Sequence, residues 1–182
     1  MYQLRRLSAL ALSLAITSLL FSPIPAAAAQ EYNMPLPLSS ASALLMEKET
    51  GTILLQQNAH QKLEPASVTK VMPLLLVMEA VDSGRLSLDE PVPVSAHAAG
   101  MGGSQVYLKE GERLSVSDLI KCVAVVSGND CAVALAERLS GSESAFVDQM
   151  NQKAQALGME DTHFVNSTGI PAPGHLTPAY DI

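Results

Sequence analysis

Glu64-Pro65-Ala66-Ser67-Val68-Thr69-Lys70 stands directly before the apolar run Val71 to Val81, and together they read as one helix from about Pro65 to Asp82. Proline locks φ and lacks an N–H, so Pro65 suits a first helical turn, and Ser83-Gly84 is a C-terminal stop. Ser67 therefore sits about two residues inside a helix start. The first amides of a helix have no acceptor within it, so those of Ala66, Ser67 and Val68 are expected to be free donors able to hold an oxyanion. Ser67 and Lys70, spaced i, i+3, share one helix face, a hydroxyl beside a candidate base. A lysine is a base only when neutral, and Val68, Val71, Met72 and Leu74 to Leu76 are expected to supply the desolvation that lowers its pKa. Pro73 would remove the bond to the Thr69 carbonyl, at about 3 kcal/mol in a regular interior, and predicts a kink just beyond Lys70. A lone S-x-x-K is commonly only a solvated helix face, so the pair needs a second motif before it means chemistry.

On the N-terminal side, Ser42 to Glu47 and Gly51 to Gln56 flank Lys48-Glu49-Thr50-Gly51 and read as a β-hairpin. Residues Gln30 to Leu38 read as an extended leader. Before them, Arg5 and Arg6, the uncharged run Leu7 to Phe21 and the small residues Ala26 to Ala29 follow the order of a secretory signal peptide, cleaved after Ala29. The run is short for a bilayer span. Without residues 1–29 the chain keeps 9 basic against 18 acidic residues, a net charge of −9, which argues against nucleic acid as a partner.

On the C-terminal side, Leu86 to Arg113 is rich in glycine and reads as loops and brief strands wrapped over the site. Ser115-Val116-Ser117-Asp118 resembles a capping box, and the apolar residues after it predict a buried helix to Val126. The turn Ser127-Gly128-Asn129-Asp130 follows, then a helix closed by Gly141, then an amphipathic helix Ser142 to Leu157 with Phe146, Met150 and Leu157 inward and Gly158 as its stop. Cys122 and Cys131 read as small core residues, and their spacing does not demand a disulfide. The histidines, His60, His97, His163 and His175, show no H-x-H or H-E-x-x-H arrangement, so no metal or other cofactor is expected.

Read alone, the Ser127 turn is only a cap. Paired with Ser67 and Lys70 it completes S-x-x-K followed about 60 residues later by S-x-N, two of the three elements of penicillin-binding proteins and class A β-lactamases, the third being K-T-G on a strand. Pro65 to Met72, Met101-Gly102-Gly103-Ser104-Gln105, Val126 to Asp130 and Thr162-His163-Phe164-Val165-Asn166 resemble the serine-type D-alanyl-D-alanine carboxypeptidases, over nearly all of residues 40–182. The resemblance implies an α+β, β-lactamase-like transpeptidase fold, an antiparallel sheet flanked by helices. It implies Ser67 as acyl nucleophile and Lys70 as its general base. Ser127 would relay a proton to the leaving D-alanine, and Asn129 would bind the peptide amide and help position Lys70. The partners implied are peptidoglycan stem peptides ending in D-Ala-D-Ala and β-lactam antibiotics, outside the cytoplasm, in the cell envelope or at the outer face of the membrane.

Two departures stand out. The position of Pro73 is more often threonine in the family. No K-T-G occurs, since Lys48-Glu49-Thr50-Gly51 carries an extra residue and lies elsewhere. Residues 30–182 are thus expected to be the N-terminal part of the catalytic domain, truncated before its last strands and inactive alone. The family's second domain, and the C-terminal amphipathic helix through which membrane attachment would come, are not in these residues. A non-catalytic peptidoglycan-binding relative is the competing reading. A β-lactamase is a further one, although of the candidate deacylating carboxylates Glu137 lies too soon after Asn129 on a helix and Glu160 lacks the surrounding motif.

Overall fold

The computed structural model describes residues 38–182, so the expected export signal and most of the leader lie outside the described residues. Strands β1 (Ala43–Met46) and β2 (Ile53–Gln57) pair antiparallel, with a bulge between Leu45 and Met46. The hairpin closes where expected. Glu47 accepts the amides of Glu49 and Thr50 with its carboxylate, and Gly51 supplies the left-handed residue at φ +71°. Strands β3 (Pro91–Pro93) and β4 (Arg113–Ser115) form a second antiparallel pair. The architecture is α+β, antiparallel pairs flanked by helices.

A 3-10 turn, Ala66–Lys70, leads into α1 (Val71–Asp82), and helices α2 (Ala96–Ala99), α3 (Val116–Val126), α4 (Asn129–Ser140) and α5 (Glu143–Ala156) follow. Helix α4 is the centre. Eight consecutive residues, Asn129 to Ala136, are buried, so protein covers it on all sides. Its alanines 132, 134 and 136 let neighbours approach, and α1, α3 and α5 pack around it through Val77, Ala80, Leu119, Val123, Phe146 and Met150. Each large apolar side chain buried here contributes about 1.5–3 kcal/mol.

Several expectations are corrected. Pro73 breaks nothing, because α1 starts at Val71 with Lys70 as its cap, and a third-position residue has no intrahelical acceptor to lose. The change of pitch lies between the 3-10 turn and α1. Leu157 is not inward but caps α5 at 56% exposure, and Ala154 takes the buried place. Helix α3 is buried on one face only, with Val125 82% exposed. Its Ser115 caps the Asp118 amide as expected, but the Asp118 carboxylate takes the Ser115 hydroxyl rather than a backbone amide. Neither cysteine is in a disulfide. Cys131 is buried and Cys122 half-buried.

Candidate active site

Ser67 is exposed, whereas Lys70, three residues on, is 4% exposed. The 3-10 turn brings Lys70 Nζ to 3.3 Å from Ser67 Oγ, hydrogen-bonding distance, and the ammonium also donates to the Thr168 carbonyl at 2.7 Å. No carboxylate pairs with it among the described residues. Desolvation without a counter-charge disfavours the ammonium, so burial pushes the Lys70 pKa down. The residues expected to desolvate it are only partly responsible. Val68 and Val71 are 47% and 61% exposed, whereas Met72 and Leu76 are buried and the carbonyl of buried Thr168 lies against the ammonium.

The oxyanion donors are narrowed too. Val68 spends its amide on the Pro65 carbonyl at 3.1 Å, while the Ser67 amide makes no hydrogen bond among the described residues and remains available. Just before it, Ala66 has φ +45°, a left-handed conformation costly for a residue with a Cβ.

Residues 163–177 form a strap across the turn. It is bridged to itself at His163 and Leu176 and to Leu63 at Thr177. Asn151 of α5 holds the Phe164 amide and carbonyl with its carboxamide, and Asn166 Oδ1 accepts the Thr168 and Gly169 amides. Glu143 accepts the Ser167 amide and hydroxyl. Burial raises the Glu143 carboxyl, but hydrogen bonds from Ser167 and His97 outweigh it and hold the group below its usual range. The strap passes so close that a Cβ on Gly169 would collide with the Ala66 carbonyl.

Ser127 caps α3 in the left-handed region at φ +58°, and its Oγ is buried without a hydrogen-bond partner. Asn129, 5% exposed, opens α4. Its amide bonds to the Ser104 carbonyl and its Nδ2 to the Gly102 carbonyl, which anchors the expected loop against the turn. It makes no hydrogen bond to Lys70, whose ammonium donates instead to the Thr168 carbonyl. The structure thus joins Ser67 to Lys70 directly and leaves the Ser127 hydroxyl and Asn129 Oδ1 without bonds of their own among the described residues. Asp130, read from the sequence as a cap, has a larger task. Buried at 1% exposure, its carboxylate accepts the amides of Val106, Leu108 and Cys131 and fixes the loop before β4.

Comparison with known proteins places these features in context. The sequence profile of Peptidase S11, D-alanyl-D-alanine carboxypeptidase, matches residues 27–182. The chain is 48% identical over 141 residues to the D-alanyl-D-alanine carboxypeptidase DacF of Bacillus subtilis, covering 78% of this chain and 36% of that protein. To DacD of Escherichia coli it is 42% identical over 154 residues, 81% of this chain and 40% of the relative. Among solved structures, DacD from Francisella tularensis matches with a TM-score of 0.79 at 40% identity, covering 81% and 36% of the two chains. Penicillin binding protein 5 from Haemophilus influenzae matches at 0.78 and 34% identity, covering 81% and 44%. The chain therefore spans less than half the length of these relatives.

Proposed function

Given that the chain belongs to the D-alanyl-D-alanine carboxypeptidase family, we propose that the full-length protein is a serine-type carboxypeptidase that removes the terminal D-alanine from peptidoglycan pentapeptide through an acyl-enzyme. The observation that carries this is an exposed Ser67 hydroxyl 3.3 Å from a buried lysine that has no counter-ion among the described residues. Neutral Lys70 takes the Ser67 proton as Oγ attacks the carbonyl of the penultimate D-alanine. The free Ser67 amide donates to the developing oxyanion. As the C–N bond breaks, the leaving amine of the last D-alanine receives a proton by way of the Ser127 hydroxyl. Asn129 binds the peptide amide through Oδ1. Water then cleaves the ester, and its proton returns through Lys70. Penicillin, which presents a similar acyl group, is held at the same serine.

Residues 1–29 are proposed to be a cleaved export signal, and residues 30–182 the N-terminal part of the catalytic domain, working outside the cytoplasm. Among the described residues no helix is long and apolar enough to cross a membrane.

One experiment reads activity and export together. Cells producing the full-length protein are treated with penicillin and the protein is digested for mass spectrometry. The expected result is the penicilloyl adduct on the peptide containing Ser67, no adduct in Ser67→Ala, and an N-terminal peptide starting near Gln30. Purified protein should release D-alanine from a synthetic pentapeptide ending in D-Ala-D-Ala. An unlabelled, folded protein that binds peptidoglycan would favour the non-catalytic reading instead, and a peptide beginning at Met1 would remove the export signal.

A further inference from the structure

His175 is 2% exposed and lies 106 positions beyond Thr69, yet its Nε2 is 2.8 Å from the Thr69 hydroxyl. The other ring nitrogen is committed as well. The Val165 amide donates to Nδ1 at 3.0 Å, and a nitrogen that accepts cannot carry the proton, so the proton is on Nε2 and is donated to Thr69 Oγ1. The ring therefore ties together the two limbs of the strap and the turn that carries the nucleophile.

We infer that His175 is a positioning residue for acylation: by donating from Nε2 to Thr69, it fixes the 3-10 turn against the strap so that Ser67 and Lys70 hold their alignment. Thr69 is one of the two residues between the pair, next to Lys70 in the chain, so a rotation of Thr69 shifts Lys70 relative to Ser67. Two independent contacts lock the turn to the same strap, His175 to Thr69 and Lys70 to the Thr168 carbonyl. Removing the first leaves Lys70 Nζ bound to a carbonyl whose relation to the Ser67 hydroxyl is no longer set. Burial, with a smaller contribution from His163 and against the influence of Glu64, holds the imidazole pKa below its ordinary value, which keeps the ring in the neutral state the geometry needs.

This rests on the enzymatic reading above, because it states what the same catalytic pair requires. The test uses carboxamides that each reproduce one half of the ring. In His175→Gln the amide nitrogen can occupy the place of Nε2 and donate to Thr69. In His175→Asn the side chain can reach only the place of Nδ1, where it accepts from Val165. In the full-length protein, His175→Asn should slow the acylation step by penicillin about tenfold with its dissociation constant unchanged, the size expected for one misplaced hydrogen bond. His175→Gln should stay within about threefold of the parent. Thr69→Val should match His175→Asn, and the double variant should be no slower than either single one. Two-bond proton–nitrogen spectra of the resting protein should show a protonated Nε2 and an unprotonated Nδ1. Acylation of folded His175→Asn at the parental rate, equal losses in Gln and Asn that follow their melting temperatures, or the opposite tautomer would each overturn the inference. A parental protein with this tautomer that is never acylated would overturn the enzymatic reading, and this inference with it.

Discussion

Replacing Lys70 by arginine should leave the full-length protein folded and slow acylation of Ser67 by fluorescent penicillin at least about 10²-fold. Arginine keeps the charge, most of the reach and donors for the Thr168 carbonyl that Lys70 holds at 2.7 Å, so a structural role would survive the change. A base role would not. The guanidinium pKa is above about 12 and cannot be lowered enough by this site to provide a lone pair, whereas burial already pulls Lys70 toward its neutral form. The sign for pH follows. Parental acylation should rise with pH as Lys70 loses its proton, and the residual rate of Lys70→Arg should not show that rise. Stopped-flow labelling beside matched thermal melts reads both. An arginine variant that keeps its melting temperature and acylates at the parental rate would mean that Lys70 is not the base.

The second large effect is expected at Gly169, where a single methyl group should cost at least ~3 kcal/mol of stability and most of the acylation rate. Gly169 has φ +84°, and its added Cβ would collide with the carbonyl oxygen and carbon of Ala66 and lie 2.9 Å from Thr69 Oγ1. Two of these are main-chain atoms, which cannot rotate away as a side chain can. Either the strap lifts, carrying off the Thr168 carbonyl, or the turn beneath Ser67 is displaced. Gly169→Ala should therefore melt well below the parent and label poorly even at low temperature. By contrast, alanine at Gly174, which shares the left-handed φ at +83° but meets nothing within 4 Å, should show only the smaller conformational penalty. A Gly169→Ala melt within about 2 °C of the parent would refute the close approach.

The proposed nucleophile and its proposed base were legible because their relation is local: three residues along any helical turn put Ser67 and Lys70 on one side. The hairpin and the helix stops were legible for the same reason, as Gly51, Gly84, Gly141 and Gly158 all adopt the positive φ that their place in the pattern suggested. What the sequence hid is contributed from far away or through the main chain. Thr168 acts by its carbonyl, which every residue type possesses, and His175 reaches Thr69 across 106 positions. Helix α2, four residues long, is too short to show a period. Asp130 had the signature of a cap, and nothing local announces that its carboxylate serves the amides of Val106 and Leu108. Periodicity also cannot say what covers a face, which is why Leu157 read as inward and is exposed, and why Val68 and Val71, expected to desolvate Lys70, are exposed as well.

At Ser127 the interests of the fold and of the proposed reaction are opposed. A left-handed residue at a helix end is where glycine is most at ease, and a buried hydroxyl with no partner is a debt of about 1–3 kcal/mol. Ser127→Gly should thus raise the melting temperature while removing the proposed proton relay; a variant that melts lower than the parent would show that the hydroxyl is satisfied after all. Laboratory selection for thermostability, applied without a screen for turnover, would drift toward glycine here and gradually erase the enzyme.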